Sequence, residues 1–127
     1  MAKARPISPH LQIYRWYFTM ALSIAHRASG SALAVGILLL TWWLTALAAG
    51  PESFARIDWL MDGVFGVLVL FGYSFVLFFH MCNGLRHLMW DTATGLSKME
   101  AYQSGLVVVG AAAALTVLLW LAILIAH

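Results

Sequence analysis

GVFGVLVLFGYSFVLFFHMCNGL, residues 63–85, runs for 23 residues between Asp62 and Arg86 with no formal charge and one histidine, His80. A helix needs about 20 predominantly apolar residues to cross the roughly 30 Å of a bilayer's hydrocarbon, and this run supplies them. Two further runs flank it. Ala28 to Pro51 gives 24 residues between Arg27 and Glu52, and Ala101 to Ala126 gives 26 before the terminal His127. The sequence therefore predicts an all-α membrane protein with three transmembrane helices, at about 27–50, 62–90 and 102–126, after an N-terminal interfacial arm over 1–26.

Composition agrees with that reading. Of the 127 residues, 63% are hydrophobic and 9% charged, whereas a soluble domain averages roughly 45–50% apolar and 25% charged. Twelve charged side chains cannot coat a water-soluble surface of this size, so the solvent is lipid. The first run ends in Ala46-Leu47-Ala48, which resembles a signal cleavage site. Its apolar part, however, far exceeds the 7–15 residues of a signal h-region, and it reads as a retained span. Cys82 is the single cysteine, so this chain builds neither an internal disulfide framework nor a multi-thiolate metal site. The net charge of +2 is small and the basic residues sit near the ends of apolar runs, which gives no footprint for nucleic acid.

Charge also orients the spans. Lys3, Arg5, Arg15, Arg27, Arg86 and Lys98 precede the first run or border the loop after the second, while Arg56 alone lies in the loop between. The positive-inside rule places the N-terminus and the second loop on the cytoplasmic or matrix side. Trp16, Tyr17, Trp90 and Tyr102 then form an aromatic belt on that side, with Trp42, Trp43 and Trp59 towards the other. Gly30 with Ala34 and Gly110 with Ala114 are small-residue pairs at helix-packing spacing. The arm from Pro6 to Ala25 carries two prolines and is expected to lie along the membrane surface. No repeat or long linker divides the chain, and 1–127 reads as a single membrane-anchor domain.

Two groups of residues sit where lipid makes them costly. His80 lies within the second span, and an ionisable group there is by default a functional-site hypothesis. It is either a ligand or a neutral imidazole hydrogen-bonded to a neighbouring helix. If it binds haem iron, a low-spin site needs a second axial ligand on the opposite face of the porphyrin. His87, seven residues on, falls about 20° away on the helical wheel and about 10 Å along the axis, so one straight helix cannot clasp an iron from both sides. The other histidines, His10, His26 and His127, lie at or beyond span ends, so the second ligand has to come from another polypeptide. His87 faces the same side as His80, to meet a haem propionate or as an interfacial histidine wetted by headgroups. The second group is Ser23, His26, Arg27 and Ser29 at the mouth of the first span. Quinone reduction needs a hydroxyl donor, a fixed cation and proton relays, and Arg86 and Asp91 lie on the same membrane side. A lone Arg here is otherwise a topology anchor that snorkels to the headgroups.

Arg5-Pro6-Ile7-Ser8-Pro9-His10-Leu11, SIAHRASG at 23–30 and HMCNGLRHLMWD at 80–91 resemble the signature regions of the cytochrome b556 subunit family of succinate dehydrogenase, over the whole chain. The resemblance implies that His80 is an axial ligand of haem b shared with a second, smaller membrane-anchor subunit. It also implies that Ser23 and Arg27 form part of a quinone pocket completed by the iron-sulfur subunit and the other anchor. His26, Arg27 and His87 match positions near the haem propionates, and Asp91 matches a polar position near the quinone mouth. The expected function is that of a non-flavin subunit of succinate:quinone oxidoreductase, inactive alone. FAD and iron-sulfur clusters lie in a flavoprotein and an iron-sulfur subunit, and electrons pass to a quinone, expected to be ubiquinone. The short N-terminus, read as uncleaved, points to a bacterial cytoplasmic membrane rather than the mitochondrial inner membrane. The alternatives are the anchor of a quinol:fumarate reductase and a non-redox structural or transport subunit.

Overall fold

A computed structural model describes Ile7 and residues 9–126. Among these, a short 3-10 turn, His10–Ile13, precedes four α-helices: α1 Phe18–Ala49, α2 Pro51–Met61, α3 Val64–Asp91 and α4 Lys98–Ala126. No strand occurs among the described residues. Three of the helices, α1, α3 and α4, are long and apolar enough to cross a membrane, and the all-α, three-span expectation holds. Residues 1–6, Ser8, His127 and the side chains of His10, Leu11, Trp59 and Leu60 lie outside the described residues.

Two boundaries differ from expectation. Helix α1 begins at Phe18, well inside the segment expected to run along the surface as far as 26. No proline or glycine follows Pro9 until Gly30, and the polar side chains of Ser23, His26 and Arg27 do not interrupt backbone bonds that close within the helix. The mouth of the span is therefore helical, which fixes how these three side chains project. The loop between the first and second spans also contains a helix, α2. Gly50, at φ +108°, separates it from α1, a conformation open to glycine and costly for other residues. Pro51 then occupies the first turn with Glu52 beside it, both favoured at a helix N-terminus. Ile57, 3% exposed, buries the inner face of α2.

The turn from α3 to α4 uses Ala93 (φ +58°) and Gly95 (φ +73°) in the left-handed region. The start of α4 is fixed by a capping box. The backbone N–H of Glu100 donates to Ser97 Oγ at 3.3 Å, and the Glu100 carboxylate accepts from the Ser97 N–H at 3.1 Å. Phe18 and Tyr102 meet edge to face at 5.3 Å, so α1 and α4 start at the same end of the bundle, as N-terminal and second-loop residues must in a three-span protein.

Helix α3 is central and packs against both α1 and α4. The core is small: Leu22 from α1, Phe79 from α3, and Val108 and Ala112 from α4. On α4 the buried positions Gly105, Val108, Ala112 and Thr116 recur every three or four residues, the stripe of a helix with one packed face. Close approach comes from Gly30, one of the glycines expected, which faces His80 across the α1–α3 contact, and from two that were not. A Cβ at Gly36 would overlap the ring and hydroxyl of Tyr73, and one at Gly105 would lie 2.6 Å from Leu22 Cδ1. Gly110, by contrast, meets nothing within 4 Å, and both it and Ala114 are exposed. That pair does not pack α4 because the packed side of the helix runs through Gly105, against α1, and Ala112 instead. Only 11%, 11% and 17% of the apolar windows of α1, α3 and α4 are buried within the chain. Lipid or other polypeptides must cover the rest, since water cannot solvate so much apolar surface favourably.

Candidate functional site

The seven-residue spacing of His80 and His87 puts both imidazoles on one face of α3, two turns apart, and a single ring from α1 fills the gap between them. His26 stacks on His80 at 4.2 Å with an 18° interplanar angle, and on His87 at 4.8 Å and 17°. The rings lie face to face, so their nitrogen lone pairs do not converge. The described residues contain no group of three or more His, Cys, Asp and Glu that could hold a metal ion. The stack brings together three of the expected site residues. The sequence placed His80 and His87 on one face, and the structure puts His26 between them.

The three rings are held differently. His87 Nδ1–H donates to the Asn83 carbonyl of its own helix at 2.7 Å, and Trp90 meets its ring edge to face at 5.1 Å. His80 Nδ1 reaches across to α1, 2.9 Å from Ser29 Oγ, and a Cβ at Gly30 would stand 3.1 Å from its Cε1. Position 30 is thus tight for any larger residue, and the glycine leaves the space the His80 ring occupies. His26 Nδ1 is buried with no hydrogen-bond partner among the described residues, an uncommon state for a polar atom.

Ser23 and Arg27 lie one turn apart on α1. Arg27 is exposed, and its Nε donates to the Ser23 carbonyl at 3.4 Å, so its guanidinium stays near the helix mouth. Ser23 lines an open groove of about 980 Å³ whose walls include Trp16, Tyr17, Trp90, Lys98 and Tyr102. Five aromatic rings, with Phe18 as the fifth, and a cation around a hydroxyl can accommodate a flat, partly polar ring system. Asp91 is exposed at the end of α3 and is not among the groove residues.

Arg86 departs from expectation. Instead of joining the polar site at the surface it is 5% exposed and points into the seam between α3 and α4. Its Nε donates to Ser104 Oγ at 2.9 Å, one Nη to Asn83 Oδ1 at 3.2 Å and the other to the Ala101 carbonyl at 2.5 Å. The guanidinium carbon also lies 4.0 Å from the centre of the Trp90 ring. The five-donor planar fork explains why arginine fits here. Arg86→Lys is expected to lower the thermal stability of the detergent-solubilised protein by about 1.5–3 kcal/mol, the worth of one hydrogen bond to a charged group. An unchanged melting temperature would show that the fork carries no stability. The sequence signals for this role were two polar residues in otherwise apolar runs, Asn83 three residues earlier and Ser104 eighteen residues on.

Fold and site together define a multi-pass membrane helix bundle with three stacked histidines between two of its long apolar helices. Residues 1–119 match the family described as succinate dehydrogenase/fumarate reductase transmembrane subunit. The chain is 40% identical over 114 residues to the succinate dehydrogenase cytochrome b556 subunit of Paracoccus denitrificans, covering 90% of this chain and 88% of that one. It is 37% identical over 116 residues to the corresponding subunit of Rickettsia felis, covering 91% and 90%. Against the mitochondrial cytochrome b560 subunit of Sus scrofa the identity is 40% over 108 residues, covering 82% of this chain and 63% of the relative. The chain belongs to the succinate dehydrogenase/fumarate reductase transmembrane subunit family. Its role is accordingly that of a membrane anchor in an oxidoreductase complex whose catalysis lies in other subunits, and the transport alternative falls away.

Proposed function

We propose that the chain is the haem- and quinone-binding anchor of a succinate:quinone oxidoreductase, with succinate oxidation as the working direction and the N-terminus on the cytoplasmic or matrix side. The observation that carries it is His80. It is a membrane-depth imidazole whose Nδ1 is engaged by Ser29 and whose Nε2 has no hydrogen-bond partner among the described residues, the arrangement of a histidine ready to ligate. The names of the relatives, cytochrome b556 and b560 subunits, support haem b as the group.

The residues present fit that group. Gly30 leaves space beside the His80 ring, and His26, stacked on that ring, brings a second imidazole whose ring N–H would be available to a propionate. His87 lies beyond it on the same face. The stacked rings do not converge on one point, so a haem held by His80 would take its further protein ligand from a second membrane-anchor subunit. When bound, haem would supply a one-electron redox centre.

At the quinone, Ser23 donates its hydroxyl to a carbonyl oxygen, and Arg27 stabilises the negative charge that develops there as electrons arrive from the iron-sulfur subunit. Asp91, at the same end of α3, is placed to exchange protons with water. Flavin and iron-sulfur chemistry stay in the flavoprotein and iron-sulfur subunits, with ubiquinone as the acceptor and a bacterial cytoplasmic membrane as the site. Purification of the tagged chain from its native membrane tests the whole reading. It should bring down a flavoprotein, an iron-sulfur protein and a second small membrane subunit, with a b-type band in the reduced-minus-oxidised spectrum. A colourless preparation lacking the flavoprotein would overturn it.

A further inference from the structure

Ser29 belongs to the polar cluster that the sequence associates with quinone, yet its side chain turns the other way. It is 6% exposed, donates its hydroxyl hydrogen to the His26 carbonyl at 2.7 Å and stands 2.9 Å from His80 Nδ1. A serine hydroxyl has one hydrogen and two acceptor lone pairs. With the hydrogen committed to a carbonyl that can only accept, Oγ faces His80 as an acceptor, and the proton between them sits on Nδ1. A neutral imidazole protonated at Nδ1 carries its lone pair at Nε2.

We infer that Ser29 is a positioning residue for the haem ligand: it fixes His80 as the Nδ1–H tautomer, selects Nε2 as the iron-binding nitrogen and holds the ring's orientation from the neighbouring helix. This rests on the haem-binding reading above. The contrast with His87 sharpens it. His87 uses the commoner device, a bond from Nδ1–H to the carbonyl four residues back on its own helix, so a change in α1 leaves its tautomer untouched. The orientation of His80 instead depends on α1, the helix that also carries Ser23 and Arg27.

An acceptor on Nδ1–H makes the ring a stronger electron donor and favours ferric iron. Removing it therefore raises the haem midpoint potential. In the purified complex with all its partner subunits, Ser29→Ala should shift the haem redox equilibrium by about tenfold towards the reduced form, or 59 mV for one electron. Ser29→Thr, which keeps the hydroxyl, should hold the native potential. If Ser29→Ala fails to assemble, Ser29→Cys takes its place, because a thiol of similar size is a poor acceptor and should raise the potential likewise. Pulsed electron paramagnetic resonance on unsubstituted, ¹⁵N-histidine-labelled complex supplies a reading that needs no variant, and the remote nitrogen of the His80 ligand should carry an exchangeable proton. A native potential in the alanine or cysteine variant, or a remote nitrogen without a proton, overturns the inference. Absence of haem from the unsubstituted complex overturns the reading beneath it instead.

Discussion

Replacing His26 and His80 together by alanine is expected to abolish the b-type haem band of the purified complex, while succinate oxidation with a soluble electron acceptor continues. The pair is needed because of the stack. His26 lies a ring's thickness from His80, 4.2 Å between centroids, and its Nδ1 has no partner to hold it back. In His80→Ala that imidazole can move into the vacated space and offer iron a nitrogen of its own. The single variant should therefore keep some haem with an altered spectrum and potential, and the double variant should keep none. Intact soluble-acceptor activity distinguishes loss of a ligand from loss of the assembly. A double variant with the native spectrum would mean that neither residue touches the iron.

Arg27→Ala is expected to slow quinone reduction by about 10²–10³-fold, the usual consequence of deleting one preorganised group that stabilises developing charge. Arg27 is exposed and bonds only to the Ser23 carbonyl of its own helix, so its removal costs the fold little. Succinate oxidation by a soluble acceptor, measured in the same preparation, should change less than twofold. Equal loss of both activities would make Arg27 an assembly residue, and loss of neither would detach it from quinone chemistry.

The spans were legible because lipid imposes one rule on every segment that crosses it, and runs of 23 to 26 uncharged residues have no other common explanation. Helix α2 was not, since Glu52, Arg56 and Asp58 broke the apolar signal that marks a span. Its own evidence, Pro51 after Gly50, is local and brief. The early start of α1 was hidden for the converse reason: polar residues at a helix mouth look like an arm when only hydropathy is read. Within the site, helical spacing placed His80 and His87 on one face. The insertion of His26 between them depends on how α1 crosses α3, which no single-chain pattern encodes. Arg86 and Ser29 were seen as polar residues on the expected membrane side, but the direction each side chain takes was decided by packing. Arg86 found acceptors in the α3–α4 seam, and Ser29 found an imidazole.

Every side-chain hydrogen bond that joins two spans among the described residues has one end on α3. Ser29 meets His80, Tyr73 meets the Leu33 carbonyl, Arg86 meets Ser104 and the Ala101 carbonyl, and Trp120 meets Ser74. In hydrocarbon, where apolar surface gives helices little reason to associate, such bonds and close packing are what bring them together. During biosynthesis the first span therefore enters the bilayer with none of its polar partners available. Those bonds become available only once the second span has followed it from the ribosome, and that span is then the shared partner of both its neighbours.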